Sequence, residues 1–324
     1  MEQMPMSRSG WRAVVLGVGL LPMLALAGGF KAYRTPTDGA DPREIVLGPD
    51  GAMWFTEQNI NVSQIGRVDA RGRITEFVVP TRDSQPSDIV VGADGALWFT
   101  EPSGFPFGIG RVTTAGVFTE YGLDPISSLT PIGIAATPDG NLWFTELNRN
   151  AIGRLQPTGS GVFTFFDVPT PNASLAGIVL GPDGALWFGE PGANQIGRID
   201  LAGNVTEFGP ASSPSALAVG PDGNIWYTSV FDNVVGRITP AGAITEFTFP
   251  TPFSQPRDIV AGPDGNLWVT LYNAGQLARV TPAGVITEMQ RIRGGPWGLG
   301  RGPGNELWIT LFDDSKVARY TVTP

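Results

Sequence analysis

The 324-residue sequence predicts an all-β fold, a seven-bladed β-propeller of four-stranded blades whose ring is closed by the N-terminal strand. Three observations predict it. A tryptophan-centred pentapeptide recurs seven times, at intervals of 39 to 45 residues. A Gly-Pro-Asp-Gly turn or a close variant precedes each copy. The last unit is one strand short, and the first residues after an N-terminal targeting segment supply a matching piece. Four short strands in a period of this length are the mark of a propeller blade.

The pentapeptide is MWFTE at Met53–Glu57, LWFTE at Leu97–Glu101 and Leu142–Glu146, and LWFGE at Leu186–Glu190. It continues as IWYTS at Ile225–Ser229, LWVTL at Leu267–Leu271 and LWITL at residues 307–311. An apolar run before each turn is strand A, the pentapeptide is strand B, and an Ile-Gly-Arg segment about ten residues on is strand C. A Pro-Ala-Gly-type turn then leads to strand D, as in ITEF at residues 74–77 and 244–247. One blade cannot bury both faces, so neighbouring blades must stack, and closing the ring removes the exposed ends. The seventh unit stops after strand C at residues 317–322, and residues 30–51 align without gaps to residues 244–265. Phe30–Arg34 is therefore the expected strand D of blade seven.

Repetition separates scaffold from candidate site. Seven tryptophans in seven blades are expected in the core, because a ligand needs few blades and packing needs all. The turn aspartates support unusual backbone angles, and the seven arginines of the Ile-Gly-Arg segments are expected to brace the turns.

Residues 1–12 carry Arg8 and Arg12, residues 13–27 carry no charge, and Ala25-Leu26-Ala27 offers a small-x-small cleavage site. That order reads as a secretory signal peptide over residues 1–27. The mature domain, residues 28–324, is then secreted or periplasmic, with no membrane anchor left after cleavage. It is expected to be a monomer. With 30 acidic and 21 basic residues the chain is a poor partner for nucleic acid or anionic membranes. It contains neither cysteine nor histidine. Disulfides, thiol catalysis, an imidazole base and histidine-ligated metal are thereby excluded.

Any site is expected where the longer B–C and D–A links lie, at the mouth of the central channel. Two rings of positions are expected there. The ends of the B strands supply Glu57, Glu101, Glu146 and Glu190, then Ser229, Leu271 and Leu311. The starts of the A strands supply Arg43, Ser87, Ile132, Ala176, Ser215, Arg257 and Trp297. An acidic arc facing Arg43, Arg257 and Trp297 suits a small-molecule, peptide or glycan ligand. Within that arc, Glu101 and Glu146 are candidate ligands for Mg²⁺ or Ca²⁺, hard cations that prefer carboxylate oxygen.

The LWFTE, IGR, ITEF and GPDG repeats, spanning essentially the whole mature chain, closely resemble those of the virginiamycin B lyase family, the streptogramin B lyases. The resemblance implies a seven-bladed propeller. It also implies a carbon–oxygen lyase that opens a cyclic depsipeptide antibiotic by Mg²⁺-dependent elimination, with a base taking the proton beside the ester carbonyl. In the family that chemistry uses two histidines at the starts of late A strands and nearby metal-holding glutamates. At those places this chain reads Arg257 and Trp297, and Gly295 and Leu311. The leading expectation is a ligand-binding propeller. The alternatives are a metal-dependent lyase or hydrolase acting through carboxylates, and a subunit of an envelope assembly.

Overall fold

The strand B pentapeptide is buried along its full length in every blade, as in Met53–Glu57, because its alternate residues point into the two faces on which neighbouring blades stack. The computed structural model describes residues 29–323 except 60, 106–107, 124–128 and 290. The predicted signal peptide lies outside the described residues.

The described strands form seven four-stranded antiparallel sheets. In blade 1, strands A to D are Pro42–Leu47, Met53–Glu57, Gln64–Val68 and Ile74–Val78. The next five blades repeat that order. Blade 7 takes strands A to C from Pro296–Arg301, Glu306–Leu311 and Lys316–Thr321, and its strand D is Phe30–Arg34, paired antiparallel from Phe30 opposite Tyr320 to Arg34 opposite Lys316. The closure expected from the sequence is present with the expected boundaries.

The seven repeat tryptophans are 0–1% exposed. In five blades the indole N–H donates to the turn aspartate, as from Trp187 to Asp183 at 3.0 Å. That carboxylate also meets the strand C arginine, with Arg198 2.8 Å from Asp183. In six blades a strand D aromatic stacks on the indole, so the ITEF phenylalanine is part of the core: Phe77 lies 5.5 Å from Trp54 and Phe208 lies 5.5 Å from Trp187. Tyr33 does the same for Trp308 at 5.8 Å. The Tyr33 ring also covers Gly72, in the C–D turn of blade 1, whose φ is +84° and whose Cβ would lie 1.7 Å from that ring. Only glycine suits this turn, both for its backbone angle and for the ring lying on it.

Blade 3 departs from this pattern. Asp139 accepts from Thr137 and Asn141 instead, and the indole nitrogen of Trp143 and Nε of Arg154 lack hydrogen-bond partners.

Candidate functional site

The mouth is built by a defect in the sheet. Strand A of blades 1, 3, 6 and 7 slips register just after its first proline, between Pro42 and Ile45 in blade 1 and between Pro256 and Ile259 in blade 6. The skipped residues, Arg43-Glu44, Ile132-Gly133, Arg257-Asp258 and Trp297-Gly298, leave the regular ladder. Bulges of this kind re-aim side chains.

The freed backbone groups are satisfied by the threonine of strand B. Thr310 Oγ1 accepts from Gly298 N at 2.7 Å and donates to the carbonyl of Arg43 in the next blade at 2.5 Å. Thr270 accepts from Asp258 N and donates to the carbonyl of Trp297. Thr228 likewise serves Ala216 and Arg257. Thr56, Thr100 and Thr145 continue the circuit to Ser87, Ile132 and Ala176. Blade 4 has Gly189 at this place, and Gly177 N reaches the carbonyl of Ser215 directly at 2.9 Å. The six threonines, with the Gly177–Ser215 bond at blade 4, form a hoop around the channel that fixes the backbone of the seven A-strand mouth residues.

Those seven A-strand residues line a central cavity of about 360 Å³. The guanidinium carbons of Arg43 and Arg257 lie 4.5 and 4.2 Å from the ring centre of Trp297. Phe312 and Tyr272, each one residue past the end of a strand B, complete the cluster at 5.0 and 5.4 Å from Trp297. Trp297 is half-buried, unlike the repeat tryptophans. Desolvation lowers the pKa of both arginines, and for Arg43 the neighbouring Arg257 charge adds to the lowering, while Glu44 and Asp41 oppose it. Both nevertheless stay cationic, since an arginine starts near 12.5.

Glu44, Asp88 and Asp258 also line this cavity. Enclosure by protein pushes all three pKa values up, Asp88 to about 7 and Asp258 to about 6, and Glu44 well above its ordinary value with help from its two acidic neighbours. Both oxygens of Asp88 accept backbone N–H groups, from Ile89 and, across to blade 3, from Ile134. Asp258 does the same with Ile259 and Leu299 of blade 7. The sequence reading missed this trio. Its signal was present: the residue after each mouth position is acidic only in blades 1, 2 and 6, and is Gly or Ala in the other four.

The predicted acidic arc is corrected. Glu57, Glu101, Glu146 and Glu190 are 0–1% exposed and none lines the cavity. Strand B stands one place outward from the channel, so its end is covered by its own strand A. Three of these glutamates face a strand D carboxylate across the glycine of strand C, and a Cβ on Gly197 would lie 2.5 Å from Glu190 Oε1. Burial first, then the charge of Glu76, Glu120 or Glu207, pushes Glu57 up to about 9 and Glu101 and Glu190 to about 8. Like charges so close are relieved by holding a proton.

The strand D partners are staples between blades. Glu76 accepts from Thr37 N and Oγ1 at 2.9 and 2.7 Å. Glu207 and Glu288 hold Thr170 and Thr251 in the same way. Glu146 has no such partner, and its carboxylate takes the N–H groups of Thr130, Asn148 and Arg149.

The Glu146 carboxylate is taken up by backbone N–H groups, and Glu101 is buried with its pKa raised to about 8 by that burial and by Glu120, so neither presents a free carboxylate to Mg²⁺ or Ca²⁺. Among the described residues no group of three or more acidic side chains is arranged for a metal ion.

The buried pairs carry a pH signature. Because the pKa of Glu57 is raised from 4.5 to about 9 on folding, the stability it contributes is complete below pH 4.5 and is lost as pH climbs towards 9. Glu57→Gln keeps the shape of the side chain and removes the titration. Its melting temperature should match the parent near pH 4.5 and exceed it by several degrees near pH 9. Parallel melting curves across that range would show that no proton is held there.

Similarity to known proteins agrees with this architecture. The model of the Virginiamycin B lyase family matches residues 20–208 and 158–324. A streptogramin B lyase structure is 34% identical, with a TM-score of 0.84, covering 93% of this chain and 100% of its own. Virginiamycin B lyase from Staphylococcus aureus is also 34% identical, with a TM-score of 0.84, covering 91% of this chain and all of its own. A catalytically inactive histidine-to-alanine form of the Staphylococcus aureus enzyme, with quinupristin, is 34% identical over 91% of this chain and 100% of its own, with a TM-score of 0.82. No curated protein sequence matches the chain.

Proposed function

The chain belongs to the virginiamycin B lyase family, and from that premise we propose that it is an exported propeller that binds a small polar, peptidic or glycan ligand at its channel mouth without opening it. One observation carries this reading. The mouth holds Arg43, Trp297 and Arg257 in a chain without a single histidine. Elimination beside an ester carbonyl needs a group that accepts a proton. A guanidinium has no lone pair with which to accept one, and an indole is only a donor. The Staphylococcus aureus relative that contains quinupristin is itself a catalytically inactive histidine-to-alanine form, so in that protein the ligand is held without turnover.

A second reading, catalysis by carboxylates, draws support from Glu44, Asp88 and Asp258 in the same cavity. It is weakened because both oxygens of Asp88 and of Asp258 already accept backbone hydrogen bonds. Incubation with a streptogramin B and Mg²⁺, followed by chromatography with tandem mass spectrometry, separates these readings. Elimination yields a linear isomer of unchanged mass and hydrolysis adds one water. The expected outcome is intact cyclic antibiotic. Either linear product overturns the binding-only reading.

A further inference from the structure

We propose that the ligand of this mouth is an oxyanion, a small molecule carrying a carboxylate or a phosphate that bridges the guanidinium groups of Arg43 and Arg257 beside Trp297. The proposal rests on the reading of the mouth as a binding site and adds the class of ligand.

The argument is one of unmet valence. The strand C arginines Arg67, Arg111, Arg198 and Arg279 each have a turn aspartate 2.7–2.8 Å away. Arg43 and Arg257 form no ion pair or hydrogen bond with any described residue, and their Nε atoms are buried without partners. Arg154 shares that state, but it packs on Trp143 and Phe166 within blade 3 and lines no part of the mouth. A half-buried guanidinium stripped of water and given no acceptor is costly. Two of them side by side, in a chain with nine more acidic than basic groups, form a receptor awaiting an anion. A planar guanidinium fork matches carboxylate and phosphate through paired hydrogen bonds.

The surroundings define how the anion sits. Trp297, Phe312 and Tyr272 hold the two forks from the sides. The Tyr272 hydroxyl donates to Asp313 at 2.8 Å, which pins its ring. Glu44, Asp88 and Asp258 line the same cavity, and Asp41 flanks Arg43. Tyr272 also borders a second cavity of about 580 Å³, lined by Arg291 and Arg293. Asp313 lines that second cavity as well.

The full chain is titrated with benzoate, phenyl phosphate and neutral benzamide, followed by calorimetry and tryptophan fluorescence. Benzoate or phenyl phosphate should bind at least about tenfold more tightly than benzamide, and weaken as salt rises. The tighter of the two assigns the headgroup as carboxylate or phosphate. Arg43→Gln and Arg257→Gln should each cost about tenfold in anion affinity without lowering the melting temperature, because only their backbones join the threonine hoop and each guanidinium removed is one that lacked an acceptor. Equal binding of benzoate and benzamide, loss of neither on substitution, or no anion binding at all overturns the proposal. Benzamide binding that Trp297→Ala abolishes would sink the oxyanion and keep the binding site. A streptogramin opened by the same preparation would sink the binding-only reading itself.

Discussion

A chain lacking Phe30–Arg34 should melt more than ten degrees below the intact protein and associate in solution. This five-residue strand carries the whole closure of the ring. Without it Lys316–Thr321 becomes an open edge, with its hydrogen-bonding groups presented to other chains. Tyr33 also leaves two neighbours at once, the indole of Trp308 at 5.8 Å and the turn at Gly72. Removing a packed aromatic ring costs about 3–5 kcal/mol, and the lost ladder adds to that. Thermal unfolding and light scattering would report both effects. Tyr33→Ala isolates the packing share: it should lower the melting temperature and leave the protein monomeric. A shortened chain as stable and as monodisperse as the parent would mean that blade 7 is complete with three strands.

Gly189→Thr should destabilise the protein by about 3 kcal/mol, although it restores the residue that the other six blades carry at this place. Elsewhere that threonine spans the gap between neighbouring A strands. At blade 4 the gap has closed: a Cβ on Gly189 would lie 2.3 Å from the carbonyl oxygen of Pro214. That oxygen belongs to backbone, which cannot turn aside, and Gly177 N already bonds to Ser215 O. Urea unfolding measures the loss. An unchanged or raised midpoint would mean that blades 4 and 5 can separate to admit a hydroxyl bridge at little cost.

What could be read in the sequence follows the repeats. Blade number, strand boundaries, the borrowed strand Phe30–Arg34, the buried tryptophans and the bracing arginines all depend on patterns repeated seven times. They emerge as predicted, except that Arg154 of blade 3 braces no turn. The A-strand ring of the mouth, with Arg43, Arg257 and Trp297, also stands where it was expected. The glutamates were misplaced because a sequence gives position along a strand and not distance from the ring axis. Glu57 and Arg43 sit at the same height, yet strand A separates Glu57 from the channel. The threonine of LWFTE looked like an ordinary β-former, and its part in the hoop depends on a carbonyl in the next blade, about 30 positions on in the chain. Trp297 and its two arginines come together from blades 1, 6 and 7, and only ring closure makes blade 1 their neighbour.

The threonine hoop has a consequence for how such a protein can change. It grips the carbonyl of each mouth residue and the N–H of the next, and asks nothing of the mouth side chains themselves. Those positions are therefore sockets, into which a histidine, an arginine or an alanine can be set while the wall behind stays put. One lineage can then gain or lose a chemistry by a few exchanges at the rim without retuning its scaffold, and kinship over the whole ring is compatible with quite different occupants of its centre.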